Sequence, residues 1–338
     1  MKKGRVFSGA RPTGKQHIGN YLGAIQNYVK LQENYDCIYC IVDYHAMTIA
    51  YEPELMPQRI LEATIVNIAC GLDPKRCTLF VQSHVPEHTE LAWIFNCITP
   101  LGDLERMTQF KQKAQEHREN INTGLLDYPV LQAADIVIYK THYVPVGVDQ
   151  FQHVELTREI ARRFNQRFGE TFPEPQVIQS PTPKLLGLDG KAKMSKSLNN
   201  YIGLLETAEA IWEKLRPAVT CIHRIRRSDP GHPDECNIFT MHTAFTSAER
   251  LPAVRINCET AAVGCLECKR ELWEHMMAEL RPIQQRALEL RANPTLVQEA
   301  LLEGADRCRG MAQATMAEVR GRVGLLSRER IGEIAKSL

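Results

Sequence analysis

Ser8-Gly9-Ala10-Arg11-Pro12-Thr13-Gly14-Lys15-Gln16-His17-Ile18-Gly19-Asn20 decides the fold, because it joins the apolar run Arg5 to Ser8 to a segment beginning near Asn20 in which Leu22, Ile25 and Val29 recur at helical spacing. A strand that turns through a glycine-containing loop into a helix is the opening unit of an open α/β sheet. Such sheets bind ligands at the carboxyl ends of their strands. The helix start adds unpaired N–H groups and the positive end of a dipole, which suits phosphate. Gly19 lets the backbone approach a nucleotide closely, and His17 can donate to phosphate oxygens as charge develops. A lone His-Ile-Gly-Asn string is equally an ordinary loop; its place between strand and helix gives it meaning.

Working outward, Cys37 to Val42, Thr78 to Gln82 and Tyr143 to Val146 are further near-continuous apolar runs, as strands covered on both faces should be. Helical segments separate them, including one from near Gln150 through Leu156, Ile160 and Phe164. This alternation predicts an α/β fold, a Rossmann-like parallel sheet with helices on both faces. From about Glu206 strand signals end, and Lys269 to Arg291 and Pro294 to Arg320 read as helices. The expected organisation is a nucleotide-binding domain over 1–205, with a helical insertion at about 88–140, and an all-helical domain over 206–338.

With 338 residues, 44% hydrophobic and 24% charged, the chain has the composition of a globular protein with a large core. A formal net charge of +1 argues against a surface that binds nucleic acid throughout. Any RNA contact must be local, and the basic stretches His223-Arg224-Ile225-Arg226-Arg227 and Arg320-Gly321-Arg322 are candidates that also read as plain solvated charge. No stretch suits a signal peptide or membrane span, so the expected location is cytoplasmic, with no membrane partner. In that setting the 11 cysteines read as thiols or metal ligands before disulfides.

A second string, Lys193-Met194-Ser195-Lys196-Ser197, follows the turn-like Gly187-Leu188-Asp189-Gly190. Two lysines three apart on a movable loop suit a polyphosphate, because each ammonium is a compact charge that can follow oxygens as they leave. Together the two strings resemble the class I aminoacyl-tRNA synthetase signatures written HIGH and KMSKS. SGARPTGKQHIGNYLGA (8–24), YPVLQAADI (128–136), VPVGVDQFQHVELTREIARRFN (144–165) and KMSKS (193–197) are similar to the tryptophanyl-tRNA synthetase family, so the resemblance covers most of the chain. The family usually carries Gln where Arg11 stands, and Met is common where Gln132 stands.

The resemblance implies activation of L-tryptophan by ATP and transfer to tRNA(Trp). A carboxylate attacking the α-phosphorus is already ionised at neutral pH and needs no general base. This matches the lack of a Ser/His/Asp or Cys/His arrangement. The implied catalytic groups are His17, Lys193 and Lys196, with Mg2+ accompanying ATP. The implied ATP site holds Arg11, Pro12, Thr13, Gly19, Asn20, Gly147, Val148, Asp149, Leu185 and the Lys193, Met194, Ser195, Lys196, Ser197 loop. Asp135 is expected to bind the amino-acid side chain, since an indole N–H only donates. Phe7, Tyr128, Gln132 and Gln150 surround it; Val42, Val144 and Val146 are further apolar wall candidates. Tyr128, Gln132 and Asp135 also resemble the tyrosine-binding helix of tyrosyl-tRNA synthetases. A tRNA-independent nucleotidyltransferase and a silent RNA-binding paralogue are further alternatives. The resemblance also implies a homodimer joined through the helical insertion.

Cys236, Cys258, Cys265 and Cys268 form C-x21-C-x6-C-x2-C, a candidate metal site whose spacing leaves zinc and iron–sulfur both open. A subset of the tryptophanyl-tRNA synthetase family carries this spacing, and resemblance to it implies a 4Fe-4S cluster. Cys37 and Cys40, by contrast, lie in an apolar strand and read as core.

Overall fold

The computed structural model describes residues 3–12, 14–116, 121–179, 185–196, 198–328 and 330–336. The central strand β1 (Arg5–Ala10) carries a parallel neighbour on each edge. β2 (Asp36–Ile41) pairs with it from Arg5↔Asp36 to Ala10↔Ile41, and β3 (Thr78–Val81) lies outside β2. On the other side come β4 (Tyr143–Val146) and β5 (Gln176–Gln179), giving the order β3-β2-β1-β4-β5 with every pair parallel. This is the expected parallel sheet, with one strand more than the apolar runs predict. β5 is a largely exposed edge whose Val177 and Ile178 sit between glutamines, so no apolar run marks it.

Successive side chains of a strand point to opposite faces. β1 therefore sends Val6 into one core and Phe7 into the other, and β2 divides Cys37 and Tyr39 from Ile38 and Cys40. Cys37 and Cys40 are both buried, on opposite faces, as their spacing predicts. The helix α1 after β1 runs through Ile18–Asn20, a π-helical turn Tyr21–Ile25, and Gln26–Leu31. With α2 (Met56–Ala69) it covers the Val6 face. The Phe7 face is covered by α3 (Glu87–Asn96), α4 (Thr123–Val137) and α5 (Phe151–Phe168).

The two long C-terminal helices return to this sheet. α6 (Cys265–Ala292) packs on α2, with Leu272, Met276 and Leu280 fully buried in the Val6-side core. α7 (Thr295–Arg322) starts in that core with Val297 and Leu301 and ends in the opposite core with Cys308, Met316 and Val319. It thus crosses the sheet edge at β3, and Gly304 marks the crossing: a Cβ there would sit 1.7 Å from the Leu79 carbonyl oxygen. The far half of α7 is tied to the helices beneath. Thr315 Oγ1 donates to the Ile138 carbonyl at 2.7 Å, and Arg320 grips Glu90 through Nε at 2.7 Å and Nη2 at 2.5 Å.

Gly304→Ala is therefore expected to destabilise the fold by about 1–3 kcal/mol or more through overpacking against backbone. Gly310→Ala, on the same helix in open space, is expected to gain up to about 1 kcal/mol of helix propensity. Thermal or urea denaturation of the two variants checks the contrast; equal effects would remove the close helix–strand approach as its cause.

Candidate active site

A cavity of about 260 Å³ opens at the carboxyl ends of β1 and β4, where a parallel sheet presents its ligand site. Phe7, Val42, Val144 and Val146 form apolar walls, and Gly23 and Ala24 from the π-helical turn of α1 close one side. Tyr128, Gln132 and Asp135 reach in from successive turns of α4, and Gly147 and Gln150 from the start of α5. Phe7, Tyr128, Gln132, Asp135 and Gln150, placed together by the sequence, all line this cavity, as does Arg11. Tyr128 pairs with His153 Nε2 at 2.8 Å, and burial pushes its hydroxyl up to about 12, with Arg11 nearby acting in the opposite direction. The phenol is neutral at pH 7.

Asp135 is 1% exposed and carries the one buried carboxylate of the cavity wall among the described residues. An uncompensated charge there would cost several kcal/mol. Its oxygens are met by His45 Nε2 at 2.7 Å, by His88 Nδ1 at 2.5 Å, and by Gln82 Nε2 at 2.8 and 2.9 Å. Burial raises the carboxyl, but the two histidines outweigh it and hold its pKa at about 2. Gln82 is itself fixed, since its Oε1 accepts the Tyr44 N–H at 3.1 Å. His45, Gln82 and His88 were missed in the sequence. His45 and Gln82 directly follow β2 and β3, so their position just beyond strand carboxyl ends was the available signal.

Beside this cavity the two signature strings meet. His17 is 8% exposed and starts α1, where its N–H donates to Asn20 Oδ1 at 3.1 Å. A Cβ on Gly19 would lie 3.0 Å from the His17 ring, so glycine keeps that ring in place. Residues 201–204 run alongside: Ile18 donates its N–H to the Ile202 carbonyl at 3.0 Å, and Leu204 donates to that of Gln16 at 3.0 Å. That pairing carries the lysine loop over the start of α1. Met194 is buried as the loop's anchor, packing against Leu185 in the same core, and Lys196 Nζ lies 3.6 Å from the Cβ position of Gly14. Asn200 braces the loop, accepting the Ser195 N–H at 2.8 Å while donating to Asp189 Oδ2 at 3.0 Å.

The electrostatic result is a cationic rim. Burial, then Lys196 and Lys193, lower the His17 pKa to about 4, so the ring is neutral at pH 7, with its Nδ1 buried and without a partner among the described residues. Burial, then Arg59, lowers Lys196. Lys193 is exposed, and Pro12 is buried. A Cβ at Gly147 would lie 2.8 Å from Asp149 Oδ1, and Gly147, Val148 and Asp149 are exposed. Thr13 and Ser197 lie outside the described residues.

Far along the chain, Cys236, Cys258, Cys265 and Cys268 line one small cavity together with Cys221. Gly231 is required there, because a Cβ would fall 2.3 Å from Cys258 Sγ. The Cys268 thiol is pushed up to about 12 by burial and then by Cys236, Cys258 and Cys265. Among the described residues, no three His, Cys, Asp or Glu side chains are placed to hold a single metal ion. None of the 11 cysteines is in a disulfide.

Known proteins resemble this chain over most of its length. Residues 1–281 match the family described as tRNA synthetases class I (W and Y). The tryptophan–tRNA ligase of Deinococcus radiodurans is 52% identical over 327 residues, covering 95% of this chain and 99% of that protein. That of Wolinella succinogenes is 44% identical, covering 96% and 100%. The structure of Campylobacter jejuni tryptophanyl-tRNA synthetase complexed with ADP and tryptophan superposes with a TM-score of 0.86 at 35% identity, covering 95% of this chain and 100% of that one. With its two signature loops and an apolar cavity at the carboxyl ends of a Rossmann-like sheet, the chain belongs to the class I tRNA synthetase family of the tryptophan and tyrosine enzymes.

Proposed function

We propose that this chain is a tryptophan–tRNA ligase: it activates L-tryptophan with ATP, releases pyrophosphate, and transfers the tryptophanyl group from the adenylate to tRNA(Trp). The observation that carries this is the meeting of the His17 loop with Lys196 beside an apolar cavity that holds the buried Asp135 carboxylate. The side-chain choice follows from donors and acceptors. An indole offers one N–H and an apolar face, which suits a permanent anion among Phe7, Val144 and Val146. Tyrosine could use the same Asp135, but the full-length relatives at 52% and 44% identity are tryptophan ligases.

In the reaction, one carboxylate oxygen of tryptophan forms a bond to the α-phosphorus while the bond from that phosphorus to the bridging oxygen of pyrophosphate breaks. Arg11 and Gln150 sit at the cavity wall where carboxylate and ammonium would lie. Lys193 and Lys196 would hold the β- and γ-phosphates and follow them as they leave. His17, neutral and short of a partner at Nδ1, would donate a ring N–H toward the phosphate. Asn20, Gly19, Gly147, Asp149 and Leu185 would border the nucleotide, and the Mg2+ that comes with ATP would neutralise its chain.

Residues 206–338 would serve tRNA binding, with the basic stretch around Arg224 to Arg227 on its exposed surface. The protein would work in the cytoplasm as a homodimer, joined through the insertion where Trp93 is 70% and Leu101 58% exposed. The four thiols that line this one cavity would suit a 4Fe-4S cluster, with zinc as the alternative. Cys236, Cys258, Cys265 and Cys268 would ligate it, and it would tie the loop before α6 to the helical bundle.

Three outcomes are expected. In ATP–pyrophosphate exchange tryptophan is strongly preferred to tyrosine, and Lys193→Ala or Lys196→Ala lowers kcat by about 10²–10³ with little change in KM for tryptophan; preference for tyrosine overturns the assignment. In NMR titrations the free protein shows His17 neutral down to a pKa of about 4, and ATP raises that value because its phosphates offset the two lysines; an unmoved His17 would place the nucleotide elsewhere. Anaerobically purified protein contains iron and acid-labile sulfide with brown visible absorbance that is lost in Cys→Ser variants, whereas stoichiometric zinc without iron would falsify the cluster.

A further inference from the structure

The turn of α1 that closes one side of the cavity is gripped from α6. Tyr21–Ile25 is π-helical, with the Gln26 N–H reaching the Tyr21 carbonyl five residues back. This turn presents Gly23 and Ala24 to the cavity, and a Cβ on Gly23 would meet nothing within 4 Å. Tyr21 and Gln26, whose backbones make the π bond, also share one side-chain acceptor. The Tyr21 hydroxyl donates to Glu279 Oε1 at 2.6 Å, and Gln26 Nε2 donates to the same oxygen at 2.8 Å. Burial, and then Glu279, hold the Tyr21 phenol in its protonated form, and an amide nitrogen only donates.

Residues five apart suit one acceptor because the turn is a π turn. In an α-helix they diverge by roughly 140° around the axis, whereas an i→i+5 bond brings the second over the first. The acceptor is itself fixed. Glu279 stands on α6 between Met276 and Leu280, both fully buried. Trp273 Nε1 ties one side of it to the Ala208 carbonyl at 2.9 Å, and Gln284 Nε2 ties the other to the Leu204 and Glu206 carbonyls at 3.0 and 2.9 Å. α1 is also pinned at both ends. Its Ile18 N–H donates to the Ile202 carbonyl at 3.0 Å, while Tyr28 accepts Ser8 Oγ at its hydroxyl at 2.7 Å and the Tyr39 hydroxyl at its carbonyl at 2.8 Å. With both ends held, what can change is where the extra residue of the turn sits. Moving it out of Tyr21–Ile25 would redirect Gly23 and Ala24 by up to roughly 100°, the step of one helical residue.

We infer that Glu279 is a positioning residue for the amino-acid site: by bridging Tyr21 and Gln26 it locks the π-helical turn of α1 and so sets where Gly23 and Ala24 wall the cavity. This rests on the reading that the cavity takes the amino acid. Glu279 does not line the cavity and acts through α1 alone.

ATP–pyrophosphate exchange tests the inference. Glu279→Ala is expected to raise KM for tryptophan about tenfold, the worth of one or two hydrogen bonds, with kcat and KM for ATP unchanged. Glu279→Gln keeps an oxygen acceptor and is expected to restore tryptophan binding. Gln284→Ala removes hydrogen bonds from the same helix, but to residues 204–206, so its effect is expected on KM for ATP and not on KM for tryptophan. An equal rise of KM for tryptophan in Glu279→Ala and Gln284→Ala is a general loosening of α6 and overturns the inference. Should Glu279→Ala fail to fold, Gln26→Ala and Tyr21→Phe each remove one arm of the bridge and carry the same expectation. Crystal structures of the ligand-free variants read the turn itself: it is expected to be displaced, and a π turn left over Tyr21–Ile25 overturns the inference whatever the cavity binds. A displaced turn with KM for tryptophan unaltered instead places the fault in the reading of the cavity.

Discussion

Parallel pairing of β1 on both edges is the constraint from which the rest of the structure follows. A strand hydrogen-bonded on each side has no freedom to shift, and its neighbours β2 and β4 run the same way, so every strand ends on the same side of the sheet. The side chains that matter are collected there: Arg11 and His17 after β1, His45 after β2, Gln82 after β3, and Gly147 and Gln150 after β4. None of these loops is long, and the short reach from a fixed strand end makes each position definite.

Two opposite charges then organise the site. At the cavity wall the Asp135 anion is buried and kept charged by His45, His88 and Gln82. At the rim, burial and then the positive charges of Lys196 and Lys193 leave His17 neutral. Under the proposed function, an apolar amino acid with one donor on its side chain and a carboxylate at its head would lie between them, with polyphosphate beyond. Desolvation strengthens the inner interaction, and the mobility of lysines suits the outer one, where charge moves during reaction.

The C-terminal helices add a mechanical connection. α6 packs in the Val6-side core, α7 passes over the β3 edge from that core to the opposite one, and α7 ends by holding α3 and the carboxyl end of α4 through Arg320–Glu90 and Thr315–Ile138. Asp135 and His88 belong to those two helices. Packing of the last helix and geometry of the side-chain pocket are thus parts of one arrangement, even though Thr315 lies 180 positions after Asp135 in the chain.

By itself the sequence determined what depends on local pattern. Unbroken apolar runs required strands buried on both faces, and the glycine-bearing turn out of β1 required a helix start at the carboxyl edge of the sheet. These were legible because hydrophobic period and local turn chemistry act between near neighbours. β5 was not, since an exposed edge strand needs no apolar run. Nor were His45, Gln82 and His88, which are meaningful only through Asp135, 90, 53 and 47 residues away. The path of α7 was equally hidden: its apolar face would suit any partner, and only the close approach at Gly304 commits it to β3. Tertiary structure decided these points because burial and hydrogen bonding are satisfied between surfaces, and the pairing of surfaces far apart in the chain leaves no periodic trace in either one.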